Sequence, residues 1–425
     1  MKIIEGFQSA RLLLSRQAPA QEIPDLEERE QSVRQIISEV RRRGDAALFD
    51  YTLQFDRVRL TSLEVSKVQI SRAYREVDSG LVSALKLAAE RIRAFHTRQR
   101  ESLWTEADRA GLSWIVRPLD RVGVHAPGFT APLPSSVLMT AVPARVAGVS
   151  EVILATPPQS DGSVAPVTLV AADIARIDRV FSVGGAQAIA AMAFGTESIP
   201  RVDKVCGPGN IYVSLAKKLL YGVVGIDGLY GPSEVVIIAD DTANPDYLAA
   251  DLLAQAEHDP LASAILITTS RSLADRVDQQ VEQQIKGLSR QAIASESLEK
   301  RGMIVVVASI DEAIELSNLY APEHLCLVVD NAASYIDQIS NAGCLFIGEH
   351  SLEVLVDYVA GPSHVLPTEG TARFSSPLNV SDFVKLTSLV TLDKSDLKEL
   401  GAPASKIARA EGLEAHARAV EKRLK

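Results

Sequence analysis

Apolar positions recur along this chain with two different periods, and the change of period divides it. Over Leu26–Arg43 the sequence is mostly charged, with Val33, Ile36, Ile37 and Val40 spaced as one helix face. Leu81–His96 repeats the spacing with Leu85, Leu87, Ala88, Ile92 and Phe95. Residues 1–120 therefore read as a helical segment with a solvated charged face, and His96 reads as a surface residue. From Arg121 short β-rich runs take over: Val122–Val124, Val152–Ala155, Val180–Val183, Lys204–Cys206, Val235–Ala239, Ile265–Thr268, Ile304–Val307, Leu325–Val329 and Cys344–Ile347. Helical runs such as Val167–Ile174, Ala186–Phe194, Ile211–Leu220 and Asp311–Tyr320 fall between them. That alternation predicts an α/β protein with two Rossmann-like, open, mostly parallel sheets and helices on both faces. A cluster of Gly and Pro at Gly228–Ser233 places the break, giving α/β domains over 121–230 and 231–380. The N-terminal segment is expected to pack on the second of these. Residues 381–425 form a C-terminal helical arm, with Ile407, Leu413, Ala417 and Val420 on its apolar side and His416 among them. So short a stretch cannot build much of a core alone, so it must dock on its own chain or on a partner.

One helix in the second domain changes from apolar to polar along a single face. Asn244 is a good N-cap, Pro245 suits the first helical position, and Pro260 pushes Asp259 out of the helical region. Leu248, Asp251, Leu252, Gln255 and His258 then share one stripe. Polar groups at the inner end of such a stripe must be paired or they cost stability. Gln255 and His258 point an amide oxygen and a ring nitrogen the same way, as two ligands of one ion would. The plainer reading is a histidine favoured by the negative end of the helix.

Composition narrows the classes. A chain of 425 residues is too long for one small core, and 47% hydrophobic with 23% charged residues is ordinary for a globular protein. The net charge of −10 argues against a nucleic-acid partner. Cys206, Cys326 and Cys344 are isolated, which argues against a disulfide framework or a cysteine zinc site and fits a reducing cytoplasm. The N-terminus lacks the apolar core of a signal peptide, and no apolar run is long enough to span a bilayer, so no membrane partner is expected.

Two strand-to-helix loops are rich in glycine, Val183-Gly-Gly-Ala-Gln187 and Cys206-Gly-Pro-Gly-Asn210. Ligands of open parallel sheets bind at the carboxyl ends of strands, and a helix N-terminus there favours an anion such as a pyrophosphate. Neither loop matches G-x-G-x-x-G, and steric need alone accounts for many such glycines. The last third carries a denser cluster. Glu323-His324 follows Pro322, and adjacent Glu and His supply two proton-transfer groups. Asp357 and His364 flank an Ala-Gly-Pro turn that folds both toward one point. Singly, Asp357 reads as a turn or cap and His364 as a satisfied loop histidine. Of seven histidines, however, His258, His324 and His364 all sit beside acids or amides in turn-rich, apolar surroundings.

These stretches, taken in order, resemble the histidinol dehydrogenase family. The resemblance runs through Pro134-Ser-Ser-Val-Leu-Met139, Gly184-Gly-Ala-Gln-Ala188, Val202-Asp-Lys-Val-Cys-Gly-Pro-Gly-Asn-Ile-Tyr-Val213 and Gly231-Pro-Ser-Glu234. It continues through Gln255-Ala-Glu-His258, Ala321-Pro-Glu-His-Leu325, His364-Val-Leu-Pro-Thr368 and Glu411-Gly-Leu-Glu-Ala-His416. It covers nearly the whole chain. The resemblance implies a zinc enzyme that oxidises the small molecule L-histidinol twice with NAD, through histidinal, to L-histidine. It implies that Gln255, His258, Asp357 and His416 hold the zinc, one ion per subunit, with His416 arriving from the other subunit of a homodimer. It implies that His324 is the general base and that Glu323 activates the water that hydrates the aldehyde. Ser233, His364 and Glu411 match further substrate contacts, which the metal and acid–base residues complete, and Gln187 and Asn210 match positions near NAD.

The chain departs from the family pattern in the loop Gly123-Val-His-Ala-Pro-Gly-Phe129. His125 stands where the family has a tyrosine at the nucleotide, and Phe129 where it has a glycine. Other readings remain open at this point. A related dehydrogenase of another polar alcohol would share the scaffold. A zinc hydrolase would use Glu323 to activate water without NAD. A two-lobed binding protein is disfavoured by the missing secretory signal.

Overall fold

The computed structural model describes residues 1–15, 25–103, 112–128 and 132–424. Among them the strands are β1 (Lys2–Glu5), β2 (Leu112–Pro118), β3 (Arg121–His125), β4 (Glu151–Thr156), β5 (Arg179–Ser182), β6 (Lys204–Cys206), β7 (Gly225–Ile226), β8 (Glu234–Ala239), β9 (Ser263–Thr268), β10 (Met303–Val306), β11 (His324–Val328), β12 (Cys344–Ile347) and β13 (Val384–Val390). Two parallel sheets carry the fold, ordered β5-β4-β3-β6-β7 and β1-β10-β9-β8-β11-β12. Every β-rich run expected from the pattern lies in one of them.

The central strands are apolar throughout because helices cover both faces. In β8 and β9, Val235, Ile237 and Leu266 enter one core and Val236, Ile238, Ile265 and Ile267 the other, as alternating side chains must. The first core is closed by helices Pro245–Ala256, Arg271–Gln284 and Gln291–Arg301, the second by helices Phe7–Leu14 and Ile310–Tyr320.

The chain divides into two units, and neither coincides with the expected boundaries. The first, Met1–Arg100 with Leu119–Phe383, holds both parallel sheets together. The second, Glu101–Pro118 with Val384–Lys425, is a β2–β13 antiparallel ribbon and two helices, Lys394–Ala410 and Glu414–Leu424. Those two helices pack on each other across a turn at Gly412, whose φ of +77° suits glycine. Ile407, Leu386 and Val390 of this unit are 60–67% exposed.

The N-terminal segment differs from its expected place. β1 extends the six-stranded sheet beside β10, and helix Phe7–Leu14 packs on helix Ile310–Tyr320. The longer helix Leu26–Arg43 instead packs on helices Gly185–Phe194 and Ile211–Leu220 of the five-stranded layer. The segment thus serves both layers, because Val33, Ile36 and Val40 find their apolar match there. His96 is not a surface residue: it is fully buried, its Nδ1 lies 2.6 Å from Gln99 Oε1, and burial lowers its pKa to about 4.

Candidate functional site

Asn244 and Pro245 begin their helix as expected, with Asn244 Oδ1 accepting from the Asp246 N–H at 3.0 Å. The helix ends at Ala256, earlier than the stripe implied. Gln255 stays in its last turn, while His258 lies in the turn beyond, its N–H donating to the Gln255 carbonyl at 3.2 Å. This tightened turn aims both side chains at one cavity. Gln255 is fully buried, and neither atom of its amide has a hydrogen-bond partner among the described residues. Leaving such a group unmade is costly, so the site is built to be completed. His258 keeps an open face, but enough protein surrounds it for desolvation to lower its pKa.

The cavity holds about 190 Å³. Ser233, Gln255, His258, Glu323, His324, Asp357 and His364 all line it. The chain brings them there from the amino ends of β8 and β11, the end of helix Pro245–Ala256, and the helix Glu353–Tyr358 after β12 with the loop that follows it. Pro208, just past β6, and Ser135 and Ser136, at the start of helix Pro134–Ala147, close the other side. The carboxyl ends of one sheet therefore meet the amino ends of the other. Only the five-stranded sheet obeys the usual rule for ligand position.

Two buried groups dominate the chemistry. His324 donates from Nδ1 to the Glu234 carbonyl at 3.0 Å, leaving Nε2 buried and without a partner among the described residues. Burial holds its pKa near 3, so the ring is neutral at ordinary pH. Glu323 Oε2 accepts from the Glu234 N–H at 2.9 Å, and burial raises its pKa well above the usual carboxylate range. One backbone residue thus fixes both neighbours. His364 donates from Nδ1 to the Asp357 carbonyl at 2.8 Å and has Ser136 Oγ 3.3 Å from Nε2, with burial lowering its pKa to about 4. The Ala-Gly-Pro turn does bring Asp357 and His364 to the same wall. Burial raises the Asp357 pKa to about 7.

Sequence reading missed Glu353 and Tyr230, which also line the cavity. Glu353 lies one turn before Asp357, with Oε1 3.6 Å from His324 Nδ1 and Oε2 buried without a hydrogen-bond partner among the described residues. In sequence it looks like an ordinary acid at a helix start; only its spacing from Asp357 hinted at a shared face. Also missed was a buried pair beneath the second glycine loop. Lys217 donates to Asp227 Oδ1 at 2.7 Å and to the Gly207 carbonyl at 2.6 Å, while Asp227 Oδ2 accepts from the Gly207 N–H at 2.6 Å.

The remaining sequence-selected residues lie elsewhere. Gln187 is buried at the start of helix Gly185–Phe194, and Asn210 is exposed, its Oδ1 capping helix Ile211–Leu220. Both follow carboxyl ends of the five-stranded sheet. Glu411 and His416 belong to the second unit, at its helical turn and beyond it. Among the described residues no three His, Cys, Asp or Glu cluster as a metal site. The proposed donors in the first unit include a glutamine and only two such residues. Phe129 lies outside the described residues.

A profile of the family described as histidinol dehydrogenase matches residues 20–424. The chain belongs to the histidinol dehydrogenase family. It is 54% identical to a histidinol dehydrogenase of Dehalococcoides mccartyi (strain CBDB1), over 100% of both chains. It is 50% identical to one of Clostridium acetobutylicum, covering 93% of this chain and 92% of that relative. The crystal structure of histidinol dehydrogenase from Elizabethkingia anophelis superposes with a TM-score of 0.94 at 38% identity, covering 100% of this chain and 98% of that one. No described helix is long and apolar enough to cross a membrane.

Proposed function

We propose that this cavity is where the chain oxidises L-histidinol to L-histidine. NAD-dependent oxidation of histidinol to histidine is the activity of the family to which it belongs. The observation that carries the residue assignment is the cavity's set of unmet polar groups: the bare amide of Gln255 beside His258 and Asp357, and the free Nε2 of His324 beside Glu323.

Gln255, His258 and Asp357 would hold the zinc, since their oxygen and nitrogen donors suit it and the orphaned amide calls for a partner. Bound zinc supplies an anchor for the imidazole and amine of the substrate, more than a source of hydroxide. Bound NAD supplies the hydride acceptor for both oxidations. His324 accepts the hydroxyl proton at Nε2 in the first oxidation and a proton of the aldehyde hydrate in the second. Glu323 takes a proton from the water that forms that hydrate. Ser233 and His364 bind the substrate from the cavity wall, and Gln187 and Asn210 contact NAD. Glu411 and His416 of the partner subunit complete the cavity of a homodimer. Support for that pairing is that the first unit offers three donors where zinc usually takes four, and that the second unit exposes Ile407, Leu386 and Val390. Reduced, isolated cysteines support a cytoplasmic location.

The test supplies L-histidinol, NAD and zinc and follows reduced cofactor. Two reduced cofactors per histidine are expected. Turnover of another alcohol but not histidinol would identify a related dehydrogenase. Turnover without NAD would identify a hydrolase.

A further inference from the structure

β3 and β6 are neighbours, yet the chain runs on from them in opposite directions across the sheet, to β4 and β5 on one side and β7 on the other. Such a switch point opens a crevice at the carboxyl ends. His125 ends β3 at that crevice and is 3% exposed. Its Nδ1 lies 2.8 Å from the Pro208 carbonyl, and its Nε2 lies 3.3 Å from the Gly185 N–H. A carbonyl can only accept and an N–H can only donate. The ring is therefore neutral with its proton on Nδ1, and both nitrogens are used by the protein. The backbone meets there too: a Cβ on Gly207, whose φ is +106°, would sit 2.2 Å from the His125 carbonyl oxygen. Gly185 opens the helix that carries Gln187, and Gly207-Pro208 leads into the helix capped by Asn210. Asp227 accepts from the Gly207 N–H and Lys217 donates to the Gly207 carbonyl.

We propose that His125 is a positioning residue for the dinucleotide: its ring is a strut that sets the spacing of the two glycine loops, so that both helix N-termini address one bound NAD. This rests on the reading of those loops as the NAD site. The side chain serves the loops and leaves the cofactor to the backbone and to Gln187 and Asn210.

The test uses the full-length enzyme with zinc, comparing wild type with His125→Phe and His125→Asn. Phenylalanine keeps a ring and removes both nitrogens, whereas asparagine keeps a donor for the Pro208 carbonyl. Steady-state kinetics and equilibrium titration with NAD are read together. His125→Phe is expected to raise the NAD dissociation constant and KM about tenfold, the worth of one to two net hydrogen bonds. kcat is expected to fall less than about threefold and the histidinol KM to stay put. His125→Asn is expected to lose only about threefold in NAD affinity. The strut is overturned if His125→Phe binds NAD as wild type does, if asparagine fares no better than phenylalanine, or if the histidinol KM worsens as much as that for NAD. Should His125→Phe not fold, His125→Asn decides, and wild-type NAD affinity in it overturns the strut. If Gln187→Ala and Asn210→Ala both leave NAD affinity unchanged in the wild-type background, the NAD reading of the loops falls and the strut falls with it.

Discussion

His324 and Glu323 are adjacent in sequence, share one backbone anchor at Glu234, and are pushed in opposite directions by one cause. Burial penalises charge, so the imidazole is held neutral while the carboxyl, its pKa raised, becomes a stronger proton acceptor once ionised. A neutral ring with a free Nε2 is ready to accept a proton. His324→Gln is expected to lower kcat on histidinol by about a thousandfold, the usual worth of a general base, with NAD affinity unchanged by titration. Loss of less than about tenfold would remove His324 from that role. Glu323→Gln separates the two half-reactions. It is expected to slow oxidation of added histidinal far more than the first hydride transfer from histidinol, measured by single-turnover absorbance. Equal slowing of both would mean that Glu323 does not act on the hydrating water.

At the scale of elements, the site depends on where helices stop. Helix Pro245–Ala256 ends early enough for His258 to turn back beside Gln255. Its start is secured by the Asn244 cap, and Asn244→Ala is expected to cost about 1 kcal/mol in chemical denaturation. That change acts at the end remote from Gln255, so zinc content of the purified enzyme should stay near wild type. The loop after β6 leaves less room. Gly207 sits against the His125 carbonyl, and its positive φ is unfavourable for any other residue. Gly207→Ala is expected to abolish measurable NAD binding while zinc binding, built on other elements, persists. Loss of both together would point to a global defect.

At the scale of the whole molecule, His96 makes folding sensitive to acid. Its pKa is 6.5 in the unfolded reference and about 4 in the fold. Below pH 6.5 the unfolded chain binds a proton that the folded chain refuses, so this contribution is fully present near pH 7 and is lost as pH falls toward 4. At pH 5 the loss amounts to about 2 kcal/mol. His96→Asn should remove that component, so the wild type should lose more stability than the variant between pH 7 and pH 5. Identical slopes in the two proteins would contradict the burial of a neutral His96. Subunit mixing tests the proposed sharing of sites. His324→Ala and His416→Ala proteins, each weakly active, should regain activity when mixed. No recovery after verified subunit exchange would mean that each chain completes its own cavity.

The α/β class and the strand runs from Val122 to Ile347 were legible in the chain itself. Period and apolar content are local properties, and a strand covered on both faces must be apolar along its length. That Gln255, His258, Glu323, His324, Asp357 and His364 are polar side chains set in apolar surroundings was legible for a related reason, since that too is a local property. Tertiary structure alone decided that the amino ends of β8 and β11 face the carboxyl ends of β3 and β6. It alone divided the N-terminal segment between the two layers, buried His96, and brought Glu353 beside His324. It alone gave His125 two backbone partners some sixty and eighty-three residues away. These are contacts between distant segments, set by how whole layers pack, and no local period of side chains encodes them.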